Sequence, residues 1–150
     1  MKASHVRGFT LIELVVVITI LGILAAFAIP RFITLDTTAR TATVNGLAGT
    51  VRSAAALARG MAMASNSSAS VTMEGNVVTL VNNYPDAGAT GISTAINVST
   101  DFTFTAGSPA ATGTATWTRN GAPTPANCVV NYTPPAAGAA PAVTTVVTGC

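Results

Sequence analysis

From Phe9 to Pro30 the chain reads FTLIELVVVITILGILAAFAIP, an apolar run with one charged residue, Glu13. As an α-helix such a run is about 33 Å long, one bilayer core. Lys2 and Arg7 precede it, so the positive-inside tendency holds that end in the cytoplasm and sends the C-terminal part across a membrane. Arg31, at the far end, is a weaker opposing signal.

Two fates follow from the run itself. Ala26-Phe27-Ala28 is an A-x-A pattern after a suitable apolar stretch, and a cut after Ala28 releases a soluble protein. Alternatively the run is kept. Glu13 favours retention, because a signal h-region has no use for a carboxylate that costs about 2.5–3.5 kcal/mol at mid-bilayer. Its place near the start of the run lowers that cost by bringing the side chain toward the headgroups.

Gly8 followed by Phe9-Thr10-Leu11-Ile12-Glu13, with the apolar stretch through Phe32 that includes Gly22 and Pro30, resembles the processing site of type IV prepilins. The resemblance implies that prepilin peptidase cuts between Gly8 and Phe9 and methylates the new amine of Phe9. It also implies that the apolar helix stays on the mature chain. Glu13 then stands one helical turn from a cationic N-terminus. It can pair with its own amine and complement the helix dipole, or, as the family implies, meet the Phe9 amine of a neighbouring subunit. An unpaired carboxylate in a dry core is costly, so the second pairing penalises wrong axial register.

Gly22 and Pro30 bound a stretch of weakened helix. Glycine lowers helix propensity by about 1 kcal/mol, and proline removes a backbone donor and disfavours helical geometry at Ile29. A continuous helix is expected in an isolated subunit, and the resemblance implies softening between these positions on assembly.

Beyond Pro30, Phe32, Leu35, Ala39, Val44, Leu47, Val51, Ala54, Ala58 and Met61 recur near helical spacing. They predict an amphipathic helix to about Ala64, stopped by Ser65-Asn66-Ser67-Ser68. One helix from Leu11 to Ala64 is about 80 Å long, a spine rather than a core element. Later, Val71–Met73 and Val77–Val81 flank a Glu74-Gly75-Asn76 turn and read as a hairpin, which Asn83-Tyr84-Pro85-Asp86 interrupts. Gly91–Asn97 reads as a short helix or turn. Ala115–Thr118, Val129–Thr133 and Val143–Thr148 read as strands between Pro- and Gly-rich links. Residues 99–109 resist assignment, although Phe102 and Phe104 alternate like a strand. The expected fold is α+β, a long N-terminal helical spine packed on one antiparallel sheet, the pilin ladle or roll. Its divisions are a leader at 1–8, a transmembrane and assembly helix at 9–30, an amphipathic helix at 31–64 and a globular sheet domain at 65–150.

Cys128 and Cys150 are the two cysteines. Their spacing fits no zinc pattern, and the one histidine, His5, lies in the leader. A disulfide closing the C-terminal loop is the simplest reading in an oxidising compartment, against two buried thiols. Charged residues are 8% of the chain, far below the usual ~25%. No basic run marks a nucleic-acid surface. Asp86 and Asp101 read as isolated, solvated loop acids, too sparse for a calcium loop. Trp117, Tyr84 and Tyr132 read as core or rim. No nucleophile–base pair, cofactor motif or metal cluster points to an enzyme.

Pro30 to Leu35, Ala39-Arg40, Val44 to Leu47 and the ending from Cys128 to Cys150 are similar to the mannose-sensitive haemagglutinin type of type IVa pilin. The resemblance implies a major pilin that polymerises with itself. It implies lipid around the helix before assembly, and as partners the peptidase, an assembly platform and an assembly ATPase. A minor pilin, a secretion pseudopilin and a secreted or tethered binding domain are the rival readings.

Overall fold

The computed structural model describes residues 8–150. The expected leader, with Lys2, His5 and Arg7, lies outside the described residues apart from Gly8. The chain divides into two compact units, Met1–Thr37 and Thr38–Cys150. One helix, α1 (Leu11–Ala64), supplies residues to both.

In the first unit every residue from Gly8 to Ile29 is exposed. Thr19 Oγ1 donates to Val15 O at 2.7 Å, so its hydroxyl is satisfied within the helix. The backbone stays helical through Gly22 and Pro30.

In the second unit the buried stripe of α1 begins at Val44 and continues through Leu47, Ala48, Val51, Ala55, Ala58 and Ala62. Leu35 is 65% exposed, and Ala39 is exposed as well, so the predicted stripe is buried over a shorter length than its periodicity suggested. The helix ends in a Schellman motif. Ser67 N donates to Ala62 O and Asn66 N to Met63 O, with Asn66 at φ 50 as the left-handed residue.

Two antiparallel sheets follow, where one was expected. The first has β1 (Ser70–Met73), β2 (Asn76–Val81) and β3 (Tyr84–Pro85) in sequence order. Both its turns are two-residue loops in which each central residue has positive φ, Glu74 and Gly75 in one, Asn82 and Asn83 in the other. This is the turn whose twist suits a hairpin. The segment Asn83–Asp86 therefore turns the chain and pairs it again, with Leu80 opposite Pro85 and Val81 opposite Tyr84. Gly91–Asn97 forms turns, with no helix.

The second sheet is a meander of β4 (Phe102–Thr105), β5 (Ala115–Arg119), β6 (Val129–Thr133) and β7 (Ala142–Val146). The alternation of Phe102 and Phe104 is thus a strand, with Phe104 opposite Trp117 and Trp117 opposite Val130. Trp117, Val130 and Tyr132 are buried with Val44, Leu47, Val51 and Ala55 of α1. The ring centroids of Phe104 and Trp117 are 5.1 Å apart and tilted, a favoured aromatic geometry.

One buried hydrogen bond ties the sheets together. Tyr132 Oη, from β6, donates to Pro85 O of β3 at 2.6 Å. Burial above all, with the Asp86 carboxylate and Tyr84 adding to it, pushes the Tyr132 phenol well above its usual value near 10. The folded state therefore keeps this proton where the unfolded chain releases it. Stability from this residue holds below about pH 10 and falls as pH rises further. Tyr132→Phe should lower the midpoint of urea unfolding by about 1 kcal/mol equivalent at neutral pH with an unchanged m value, and should flatten the alkaline decline.

Candidate processing and assembly site

Thr10 sets the start of α1. Its hydroxyl accepts from Glu13 N at 3.3 Å. In return Glu13 Oε2 accepts from Thr10 N and from Thr10 Oγ1, both at 2.8 Å. This reciprocal arrangement is a capping box, in which the N-cap residue and the residue three further on satisfy each other's backbone donors. Thr10-Leu11-Ile12-Glu13 has the T-x-x-E spacing of that motif, a signal that attention to the charge of Glu13 passed over.

The box has two local consequences. It ends the helix at Leu11, which leaves Gly8 and Phe9 outside regular structure and exposed, Phe9 by 91%. The Gly8–Phe9 peptide bond is therefore free of helical hydrogen bonding. The box also aims the Glu13 carboxylate back toward the N-terminal end. Oε2 takes both Thr10 donors, and Oε1 has no donor among the described residues.

Apart from Thr10 and Thr19, whose hydroxyls bond within the chain, the surrounding surface is apolar. Leu11, Ile12, Leu14, Ile18, Leu21, Leu24 and Phe27 are all more than half exposed. α1 contains a stretch long and apolar enough to cross a membrane. Exposed apolar surface on this scale calls for lipid or a protein partner. Gly22 has nothing within 4 Å of the position its Cβ would take.

The other predicted positions lie in the second unit. Cys128 and Cys150 form a disulfide with sequence separation 22, and both are buried. Around it Thr124 N donates to Gly149 O, Gly149 N to Asn127 O, and Arg40 Nη1 to Cys150 O at 3.0 Å. Gly149 is required here, because a Cβ would come within 2.4 Å of Thr124 O. Asp86 differs from the solvated acid the sequence suggested. It is half-buried, and its Oδ1 accepts from Gly88 N at 2.8 Å. Asp101 is exposed and lies 3.5 Å from Arg119. No metal-binding cluster occurs among the described residues.

A family model described as the prokaryotic N-terminal methylation motif matches residues 3–29. The chain is similar to the type IV narrow pilus major component PilA5 of Thermus thermophilus, 56% identical over 52 residues, 35% of this chain and 45% of that protein. It is also similar to the type IV major pilin protein PilA of Myxococcus xanthus, 74% identical over 27 residues, 18% of this chain and 12% of that protein. The chain thus spans less than half the length of either curated relative. No solved structure matches it.

Proposed function

We propose that this chain, a type IV pilin by its N-terminal segment, is the structural subunit of a type IV pilus. The observation that carries this is the apolar first stretch of α1, residues 11–29, exposed throughout, whose one charge, Glu13, is held near its N-terminal end beside a Gly8–Phe9 bond outside regular structure. In this reading prepilin peptidase cuts that bond and methylates the Phe9 amine. The helix then rests in the inner membrane with the N-terminus cytoplasmic and the second unit periplasmic. An assembly platform and its ATPase transfer subunits from lipid into an extracellular filament. There Glu13 meets the Phe9 amine of a neighbour, and Gly22–Pro30 yields on assembly.

The filament then serves adhesion, aggregation or motility. Its finer placement, with type IVa pilins of the mannose-sensitive haemagglutinin type, rests on the resemblance of Pro30–Leu47 and Cys128–Cys150.

Filaments sheared from cells and analysed by mass spectrometry should contain this chain as the major component, beginning at a methylated Phe9. A mature chain beginning at Ile29 would refute retention of the helix. Absence from filaments despite good expression would refute the structural role. Presence only in trace amounts would make it a minor pilin.

A further inference from the structure

The second unit carries two unlike patches on opposite flanks of α1. One is a groove of about 740 Å³ bordered by Ser53, Leu57, Met61 and Met73, with Glu74 on its rim. The other is a smaller hollow of about 190 Å³ bordered by Arg52, Ala56, Tyr84, Pro141 and Val143. Thr50 and Ser53 face the first, and Arg52 and Ala55, each two positions further on, face the second. Two residues along an α-helix is a rotation of about 200°.

Charge divides the same way. Among the acids of this unit, Asp86 is held by Gly88 N and Asp101 lies beside Arg119. Glu74 is exposed and has no hydrogen bond or ion pair among the described residues. Arg52 donates to Val143 O at 2.9 Å, is exposed and has no carboxylate partner among the described residues.

Glu74 is also a poor residue for its own turn. It sits at φ 49, where Asn, Asp or Gly is preferred. Backbone strain of this kind points to a use for the side chain. Leu57, which borders the groove and is 58% exposed, adds surface that gains from being covered.

We propose that the Glu74-rimmed groove of one copy docks against the Arg52 flank of the next, with Glu74 and Arg52 forming an ion pair between copies. Unlike patches on opposite flanks make a head-to-tail contact, which does not close as a two-fold dimer and builds an open helical array wherever its rotation does not close into a ring. The inference rests on the pilus reading and names a contact between the second units of neighbouring subunits. The ion pair supplies register, and the apolar floor supplies covered area.

The test is the yield of sheared filaments from the full chain, with the membrane pool measured alongside as a check on folding. Glu74→Arg should cut filament yield about tenfold by setting like charges against each other, with an unchanged membrane pool. Arg52→Glu should do the same, and the double exchange R52E/E74R should restore most of the yield. Glu74→Asn suits the turn, so it should raise the unfolding midpoint while lowering filament yield, a split that a purely structural role would not produce. Wild-type yield from Glu74→Arg, or a double variant no better than either single one, overturns this contact and leaves the pilus reading standing. Absence of the wild-type chain from filaments overturns both.

Discussion

Glu13→Gln should leave cleavage at Gly8–Phe9 intact and reduce filament yield about a hundredfold or more, the effect of breaking a buried ion pair worth some 3–5 kcal/mol. Glutamine is the informative replacement because it serves in a capping box as well as glutamate does. The variant keeps the bonds that Thr10 N and Oγ1 make to Oε2 and loses only the charge. Glu13→Ala loses both. If charge on Glu13 drives assembly, the two variants fail together. If the cap alone matters, Glu13→Gln assembles like the wild type and Glu13→Ala does not. Sheared-filament yield and N-terminal sequencing of the membrane pool read both outcomes.

The geometry also bears on whether Glu13 serves its own chain or its neighbour. A carboxylate has two oxygens, and here the cap occupies one of them. Oε2 completes the helix start, and Oε1 is left to meet a cation. The cap to Thr10 is thus compatible with either of the pairings weighed from sequence, to the chain's own Phe9 amine or to a neighbour's. In lipid the cap lowers the cost of keeping Glu13 within an apolar run. In the proposed filament the same orientation would present Oε1 to an incoming ammonium without undoing the helix start.

Legibility from sequence followed the strength of the local signal. The extent of α1 was readable because an apolar run from Phe9 and a helical periodicity beyond Pro30 join without a break and a Ser/Asn stop follows Ala64. The Glu74-Gly75 hairpin was readable from its glycine. The Asn82-Asn83 turn was not, although asparagine is the next best residue for positive φ, because Pro85 reads as a breaker. Pro85 is tolerated in β3, a two-residue strand at the sheet edge. The split into two sheets depends on tertiary pairing, with the long link between β3 and β4 held by Asp86. Ile92 N donates to Asp86 O, and Gly91 approaches so closely that a Cβ would lie 2.0 Å from Asp86 Oδ1. No spacing rule announces such a contact. At the N-terminus the capping role of Thr10 was written in its T-x-x-E spacing to Glu13, but the charge of Glu13 drew the reading away from it.

Removing the Cys128–Cys150 bond should lower the melting temperature of the detergent-solubilised full chain by about 10 °C. The size follows from chain entropy. Closing a loop across a separation of 22 residues restricts the unfolded chain by about 3 kcal/mol, and each kcal/mol moves the midpoint of a domain this size by some 3–5 °C. Alanine at both sites keeps a small apolar side chain in each buried position and gives up only the sulfur, a loss of packing smaller than that of a large core side chain. The paired variant C128A/C150A is preferable to reductant, since both sulfurs are buried and reduction has to wait for the end of the chain to open. Trp117, the one tryptophan, reports the transition, because it pairs with Val130 two residues beyond Cys128. The end of the chain should loosen before the rest. Beyond β7 the segment is held by hydrogen bonds to Thr124, Asn127 and Arg40 and by the packing of Val147 and Cys150, contacts outside the strand ladder that the covalent tie reinforces. Limited proteolysis of the variant should therefore cut first within residues 134–141 or beyond Val146. An unchanged midpoint together with unchanged protease resistance would show that the sheet holds β7 unaided.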